Sequence, residues 1–111
     1  METDPLQLER AAAETFERLA DRWRLTAEER LQWLGKDLDL APSAEEKLDR
    51  VGYALGIYRA LHIIFSEPEL ADSWMRRNNE YFGCSALTHA LSGGADAMRD
   101  VREHLEGQLL H

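Results

Sequence analysis

Few residues of this 111-residue chain have the types and spacings that chemistry requires. The chain has four histidines, but no two of them lie four residues apart, and no H-E-x-x-H motif is present: they are His62, His89, His104 and His111. A zinc site on one helix needs that spacing, because residues one turn apart share a face. We therefore expect no metal site.

The single cysteine, Cys84, lies between Gly83 and Ser85 and could sit near a helix N-terminus, where thiol pKa values fall. The sequence places no general base beside it. One cysteine excludes an internal disulfide and a cysteine-based zinc site. The chain also lacks a G-x-S-x-G elbow, a phosphate loop and a dinucleotide fingerprint. These observations predict a protein that is not an enzyme and holds no cofactor.

The formal net charge of −8 argues against a large nucleic-acid footprint, because phosphate binding needs a basic surface. The adjacent Arg76 and Arg77 still allow a small basic patch. An acidic protein also suits a partner whose binding surface is positive. The acidic N-terminus does not resemble a secretory signal, and the apolar run 51–65 is too short to cross a membrane. We expect a soluble cytoplasmic protein.

The segment W-M-R-R-N-N-E-Y-F-G, residues 74–83, has two interpretations. In the structural one, Trp74 anchors the core, two arginines end a helix, and Asn78, Asn79 and Gly83 form the following turn. Folding alone does not require arginine, asparagine and aromatic side chains in one loop. That combination is typical of a recognition patch, with Tyr81–Phe82 at its centre.

Apolar residues recur every three or four positions, which predicts an all-α protein of about six helices with no strand. Helices are expected at about 5–23, 26–35, 43–65, 66–77 and 85–91, and from 95 onward. Thr26 and Ser43 begin capping-box patterns, and Ser66 is expected to cap the fourth helix. The inward positions include Leu8, Ala12, Phe16, Leu19, Trp23, Leu31, Leu34, Leu48, Val51, Leu55, Tyr58, Leu70, Trp74, Leu87, Leu91, Met98, Val101 and Leu105.

A change of composition near Pro42 divides the chain into an N-terminal helical region, 1–42, and a more apolar region, 43–111. Residues 19–35 are similar to the first two helices of a helix-turn-helix. A basic third helix should follow, but the sequence continues K-D-L-D-L-A-P, whose aspartates would repel phosphate. We therefore favour a degenerate helix-turn-helix-like hairpin used for packing or dimerisation over one that reads DNA.

The last helix is amphipathic and stays apolar to Leu109 and Leu110, close to the end of the sequence. These leucines could close the core. They could instead form a tail that inserts into a groove of a partner. The sequence favours neither reading.

Five motifs in fixed order cover about half the chain: G-I-Y-R-A-L-H-I-I-F (56–65), E-P-E-L-A-D-S-W-M-R-R (67–77), N-x-x-F-G (79–83), S-A-L-x-x-x-L-S-G (85–93) and V-R-x-x-L (101–105). Together they resemble the toxin-binding domain of the Xre/MbcA/ParS antitoxin family. Two positions depart from the family pattern. Asn78 stands where proline is usual, and Cys84 stands where a second glycine is frequent.

This resemblance implies a bacterial antitoxin of a type II toxin–antitoxin system. Its partner would be a RES-domain toxin that consumes NAD or transfers ADP-ribose from it, and the antitoxin's C-terminal part would block the NAD cleft. Many members also carry an N-terminal helix-turn-helix and repress their own operon as oligomers, which suggests a homo-oligomer formed through the N-terminal region. The toxin-binding candidates are Arg76, Arg77, Asn79, Phe82, Gly83, Ser85, Arg102, Glu103, Glu106, Leu109 and Leu110.

Two alternatives to a toxin inhibitor remain. The first is a DNA-binding transcriptional regulator of its own operon, which the acidic sequence after Gly35 disfavours. The second is a helical adaptor that has no toxin partner.

Overall fold

Six α-helices and one short hairpin make up the part of the chain that the computed structural model describes, residues 4–35 and 42–110. The helices are α1 (Pro5–Arg22), α2 (Ala27–Leu34), α3 (Ala44–Ile64), α4 (Pro68–Ser73), α5 (Ala86–Gly93) and α6 (Ala95–Leu109). The all-α prediction is confirmed. The connection 36–41, with its two aspartates, and the C-terminal His111 lie outside the described residues.

Local capping explains where most helices begin. The hydroxyl of Thr26 accepts a hydrogen bond from the Glu29 backbone N–H, and the Glu29 carboxylate accepts one from the Thr26 N–H. The Ser43 and Ser85 hydroxyls cap α3 and α5 by accepting from the N–H groups three residues later, but the reciprocal bond of the capping box expected at Ser43 does not form. Each cap satisfies a backbone donor that the first helical turn leaves free.

The fourth helix differs from its prediction at both ends. Its N-cap is Glu67 rather than Ser66, because Pro68 occupies the first helical position, where its missing N–H costs nothing. The α-helix ends at Ser73, and a single 3-10 turn, Trp74–Arg76, follows it. Met75 points into the core from this turn, while Trp74 is only half-buried.

The hairpin pairs β1 (Asn78–Asn79) with β2 (Cys84–Ser85) in antiparallel register, Asn78 opposite Ser85. The sequence analysis expected no strand, and this two-stranded hairpin corrects that expectation. Two residues are too few to show the alternation that marks a strand. The backbone N–H of Gly83, at φ +74°, donates to the Asn79 carbonyl at 3.0 Å and closes the turn.

Helix α3 is central and packs against α1 on one side and α6 on another. One hydrophobic core includes side chains from both sides of the boundary expected at Pro42. Those before it are Phe16, Leu19, Trp23, Leu25 and Trp33, and those after it include Val51, Ile57, Leu61, Met75, Met98, Val101 and Leu105. The N-terminal hairpin therefore packs as part of the same core.

Four leucines expected to face inward are exposed: Leu8, Leu31, Leu55 and Leu70. On the short helix α2, Trp33 takes the inward position, and Leu31, two residues earlier, points away. Ala54 and Ala71 are buried immediately beside Leu55 and Leu70. For Leu31, Leu55 and Leu70, a residue one or two positions away is buried instead, and helical spacing alone did not distinguish the two. Leu8 has no such buried neighbour.

Candidate partner-binding surface

The hairpin loop is held against the last helix by ring stacking. The Tyr81 ring stacks on His104 of α6 with 4.3 Å between centroids. Phe82 stacks on His89 of α5 at 4.7 Å and meets His104 edge-on at 5.3 Å. These contacts fix the loop on α5 and α6, so the loop and the last helix present one continuous surface.

A shallow groove on this surface is lined by aromatic, imidazole and acidic groups. Asp100 and Glu103 line it together with Tyr81, Phe82, His89 and His104. The His89 Nε2 lies 3.6 Å from a carboxylate oxygen of Asp100, and this nitrogen is buried with no hydrogen-bond partner among the described residues. The groove thus combines exposed aromatic area, since Tyr81 is 71% exposed, with carboxylates that can meet a basic partner.

The C-terminal end of α6 is apolar and open to solvent. Leu105 is buried, so it makes the closing contact with the core. Leu109 is exposed and Leu110 is 86% exposed. Glu106, on the same final stretch, pairs with Arg102 at 3.2 Å. Two roles were open for these leucines, closing the core or forming a tail that binds a partner. Leu110 does not close the core, because it is exposed.

Arg76 lies away from this surface and binds the N-terminal hairpin. Its Nη2 donates to the Glu29 Oε1 and to the Arg24 carbonyl, each at 2.6 Å. The hydrogen bonds from Arg76 are the main cause that lowers the pKa of Glu29 below its ordinary value. Arg30, on the same turn, donates to Glu17 and to Asp21, and these bonds raise its pKa.

Arg77 and Arg102 also have partners inside the chain. Arg77 donates to the Leu70 carbonyl and to the Ser73 hydroxyl, and it lies over the Phe65 ring. Arg102 lies over the Tyr53 ring, 4.9 Å from its centroid. Contacts within the fold therefore explain why the chain has Arg76, Arg77 and Arg102, of which the first two belong to the loop segment.

Asn79 and Ser85 shape the loop itself. The Asn79 side chain accepts a hydrogen bond from the Tyr81 N–H at 2.9 Å, and Ser85 caps α5. The structure brings Phe82 and Glu103 together in the groove, whereas the contacts of Arg76 and Arg77 are with other parts of the chain. His89, His104 and Asp100 were not among the predicted site residues. No sequence signal marks them, because their contacts join separate helices and a loop.

No three histidine, cysteine or acidic side chains in residues 4–35 and 42–110 are arranged to hold a metal ion. Cys84 is half-buried, and its Sγ lies 3.7 Å from the Phe82 carbonyl oxygen. No described helix is both long and apolar enough to cross a membrane.

Fold and surface together define a small all-α protein that exposes a loop-and-helix surface. The chain is 36% identical, over 110 aligned residues, to the uncharacterized protein y4oB of Sinorhizobium fredii. The alignment covers 88% of this chain and 84% of that protein, so the chain belongs to the same family as y4oB. No family model matches the chain. No solved structure matches it.

Proposed function

We propose that this protein is the antitoxin of a type II toxin–antitoxin system and acts by binding rather than by catalysis. Its partner is a RES-domain toxin that consumes NAD or transfers ADP-ribose from it. The motif order from Gly56 to Leu105 supports this proposal. One structural observation carries it: the stacking of Tyr81 on His104 joins the motif loop to a helix that ends in exposed leucines.

The charge and shape of this surface suit a dinucleotide cleft. A cleft that holds the NAD pyrophosphate needs positive potential, which Glu103 and Glu106 complement. Leu109 and Leu110 supply apolar area, and burying one leucine side chain contributes roughly 1.5–3 kcal/mol. The C-terminal part of α6 therefore blocks the cleft, and the groove beside Phe82 holds a neighbouring part of the toxin.

The proposed toxin-binding residues divide into two groups by what they touch. Phe82, Gly83, Glu103, Leu109 and Leu110 are exposed or border the groove, and these make direct contacts with the toxin. The others make their contacts within the chain. Asn79 and Ser85 shape the loop, and Arg102 lies over the Tyr53 ring beside Glu106. Arg76 and Arg77 bind residues away from the groove, so their effect on toxin binding is indirect. Glu106 faces the toxin while it pairs with Arg102.

NAD is a cytoplasmic metabolite, so the proposed pair acts in the bacterial cytoplasm. Neutralisation requires that antitoxin and toxin form a complex there. Self-association of the antitoxin is compatible with this activity.

The experiment co-expresses the protein with the RES-domain toxin that we expect to be encoded beside its gene, and it measures growth and NAD level. We expect the wild type to rescue growth and to co-purify with the toxin. Leu110→Asp should weaken both, because it places a charge in the apolar contact. The matched control is Leu6→Asp, which changes an exposed leucine at the start of α1. Equal rescue by both variants would contradict the role of the tail, and failure of the wild type would contradict the function.

Operator binding is a second candidate function. Exposed Arg22 and Arg24 lie at the α1–α2 turn and line a cleft with Arg76. Glu69 and Asp72 line the same cleft and oppose phosphate binding. A gel shift with the promoter DNA of its own gene, with and without toxin, distinguishes the two functions. Tight specific binding by the free protein would favour the regulator.

A further inference from the structure

One face of the central helix is largely exposed among the residues that the structure describes. Its residues recur every three or four positions, so they form one stripe along α3. We call this stripe the outer face of α3; it consists of Glu45, Leu48, Asp49, Gly52, Leu55, Gly56, Arg59 and Ile63. All of them are exposed except Leu48 and Gly56, which are partly buried.

The centre of the outer face is apolar. Leu55 is 40% exposed and Ile63 is 62% exposed, although both belong to the helix that forms the centre of the core. A Cβ added at Gly52 would meet no atom within 4 Å. Glycine in a helix interior costs about 1 kcal/mol relative to alanine. Packing among the described residues does not explain Gly52, whereas close approach of another helix would.

The charged side chains that border the outer face form pairs with other residues of the chain. Arg102 fills the space beside Gly56, with its Cδ 2.5 Å from where a Cβ would stand, and pairs with Glu106. On the other side, His62 bonds Asp72 at 2.9 Å. These pairs border the stripe, and neither of them involves Glu45, Asp49 or Arg59.

Charge is separated along the outer face. Glu45 and Asp49 lie in its N-terminal half, and Arg59 lies in its C-terminal half. None of the three forms a salt bridge with another described residue. The N-terminal half is therefore negative and the C-terminal half positive, with an apolar centre between them.

We propose that two copies of this chain pair through the outer face of α3, with the two helices antiparallel. The two-fold axis passes beside Leu55 and Gly56. Arg59 of each copy then lies over Gly52 and close to Asp49 of the other copy, and Ile63 meets Leu48 of the other copy. The interface is self-complementary, as a two-fold dimer requires.

Charge complementarity favours a second copy of this chain as the partner, and it favours antiparallel over parallel α3 helices. A parallel pair would place Arg59 against Arg59 and Asp49 against Asp49, and like charges repel. Gly52 allows the two helix axes to approach at the short end of the usual range of about 8–10 Å. The pairing leaves the groove at Phe82 and the end of α6 free, and it does not depend on the proposed antitoxin function.

A first experiment measures the dimer dissociation constant of the full chain by analytical ultracentrifugation over a concentration series. Arg59→Asp and Asp49→Arg should each weaken the dimer by about tenfold or more, because each change acts twice in a symmetric pair. The combined variant D49R/R59D should recover most of the affinity, because it restores opposite charges across the interface. Circular dichroism checks that each variant is folded.

Leu31→Asp is the matched control, since it adds the same charge to an exposed leucine of the N-terminal hairpin. It should leave the dissociation constant unchanged. A wild type that stays monomeric at all concentrations would overturn the proposal. A dimer that is lost in Leu31→Asp but kept in Arg59→Asp would overturn it as well, in favour of an interface in the N-terminal region.

A second experiment tests the antiparallel direction by disulfide cross-linking in a Cys84→Ser background. Leu55→Cys lies beside the two-fold axis and should link two copies under mild oxidation. A cysteine at position 63 lies on the same stripe, but in the antiparallel pair it is far from position 63 of the other copy. Ile63→Cys should therefore not form a cross-link. Linking through both positions would indicate a parallel pair, and linking through neither would reject this interface.

Discussion

Arg76 and Glu29 form a two-pronged ion pair between parts of the chain that are far apart in sequence. The Arg76 Nη2 lies 2.6 Å from the Glu29 Oε1, and Nη1 lies 3.2 Å from Oε2. Glu29 also belongs to the capping box of α2. One carboxylate therefore fixes the start of α2 and attaches the N-terminal hairpin to the turn after α4.

Removing this link should destabilise the protein in a pH-dependent way. We expect Arg76→Ala to lower the free energy of unfolding by about 1 kcal/mol at pH 7, because two hydrogen bonds to the Glu29 carboxylate and one to the Arg24 carbonyl are lost. The pKa of Glu29 is lowered in the folded protein, so its contribution is present above the ordinary value of 4.5 and is lost as pH falls through the folded value. Urea unfolding of both proteins at pH 7 and pH 3 measures this.

Arg99→Ala is the control for that comparison. Arg99 pairs with Asp96 within one exposed helical turn, at 3.0 Å. Such pairs contribute only a few tenths of a kcal/mol. If Arg76→Ala lowers the free energy of unfolding by the same amount at pH 3 as at pH 7, the ion pair with Glu29 is not the cause.

Trp33 should be among the most sensitive positions of the chain. It is fully buried, meets Trp23 edge-on at 5.7 Å, and its indole N–H donates to the Arg50 carbonyl at 2.9 Å. We expect Trp33→Ala to cost about 3–5 kcal/mol, because it opens a cavity and leaves that carbonyl without its donor. Leu31→Ala, two residues away and exposed, should change stability by less than about 0.5 kcal/mol. Thermal unfolding of the two variants compares them.

The two glycines of α3 should respond differently to alanine. Gly52→Ala should stabilise the monomer by about 0.5–1 kcal/mol, because the new methyl group enters open space and the helix gains propensity. In Gly56→Ala the new Cβ would displace Arg102 from the Tyr53 ring, which offsets that gain. Unfolding is measured at low protein concentration, where chains are monomeric. Equal gains at both positions would contradict the contact with Arg102.

Gly83 should be needed for its backbone conformation rather than for its small size. Its φ is +74°, and a Cβ there would meet no atom within 4 Å. We therefore expect Gly83→Ala to cost about 1–2 kcal/mol from backbone strain alone, and Gly83→Asn to cost less. Gly107→Ala, in open space on α6, is the control and should be slightly stabilising. Chemical denaturation measures all three variants.

The sequence by itself determined the number, order and approximate bounds of the helices. Thr26, Ser43 and Ser85 act within three residues of themselves, so their effect can be read locally. The apolar period then places Phe16, Val51 and Leu105 on inward faces, as the structure has them. Local hydrogen bonds and helical spacing both operate within a few residues, which is why the sequence alone contains this information.

Only the tertiary structure decided which of several apolar neighbours is buried and which side chains meet. Trp33 rather than Leu31 faces the core, because that choice depends on the position of Arg50 and of two other aromatic rings. Likewise, the contact of Tyr81 with His104 and the bond of Arg76 to Glu29 join residues far apart in the chain. Packing of α3 against α1 and α6 also decides that its remaining face, around Gly52, stays largely exposed in the described part of the chain. Contacts of this kind arise from how helices pack, and no short-range pattern in a sequence specifies them.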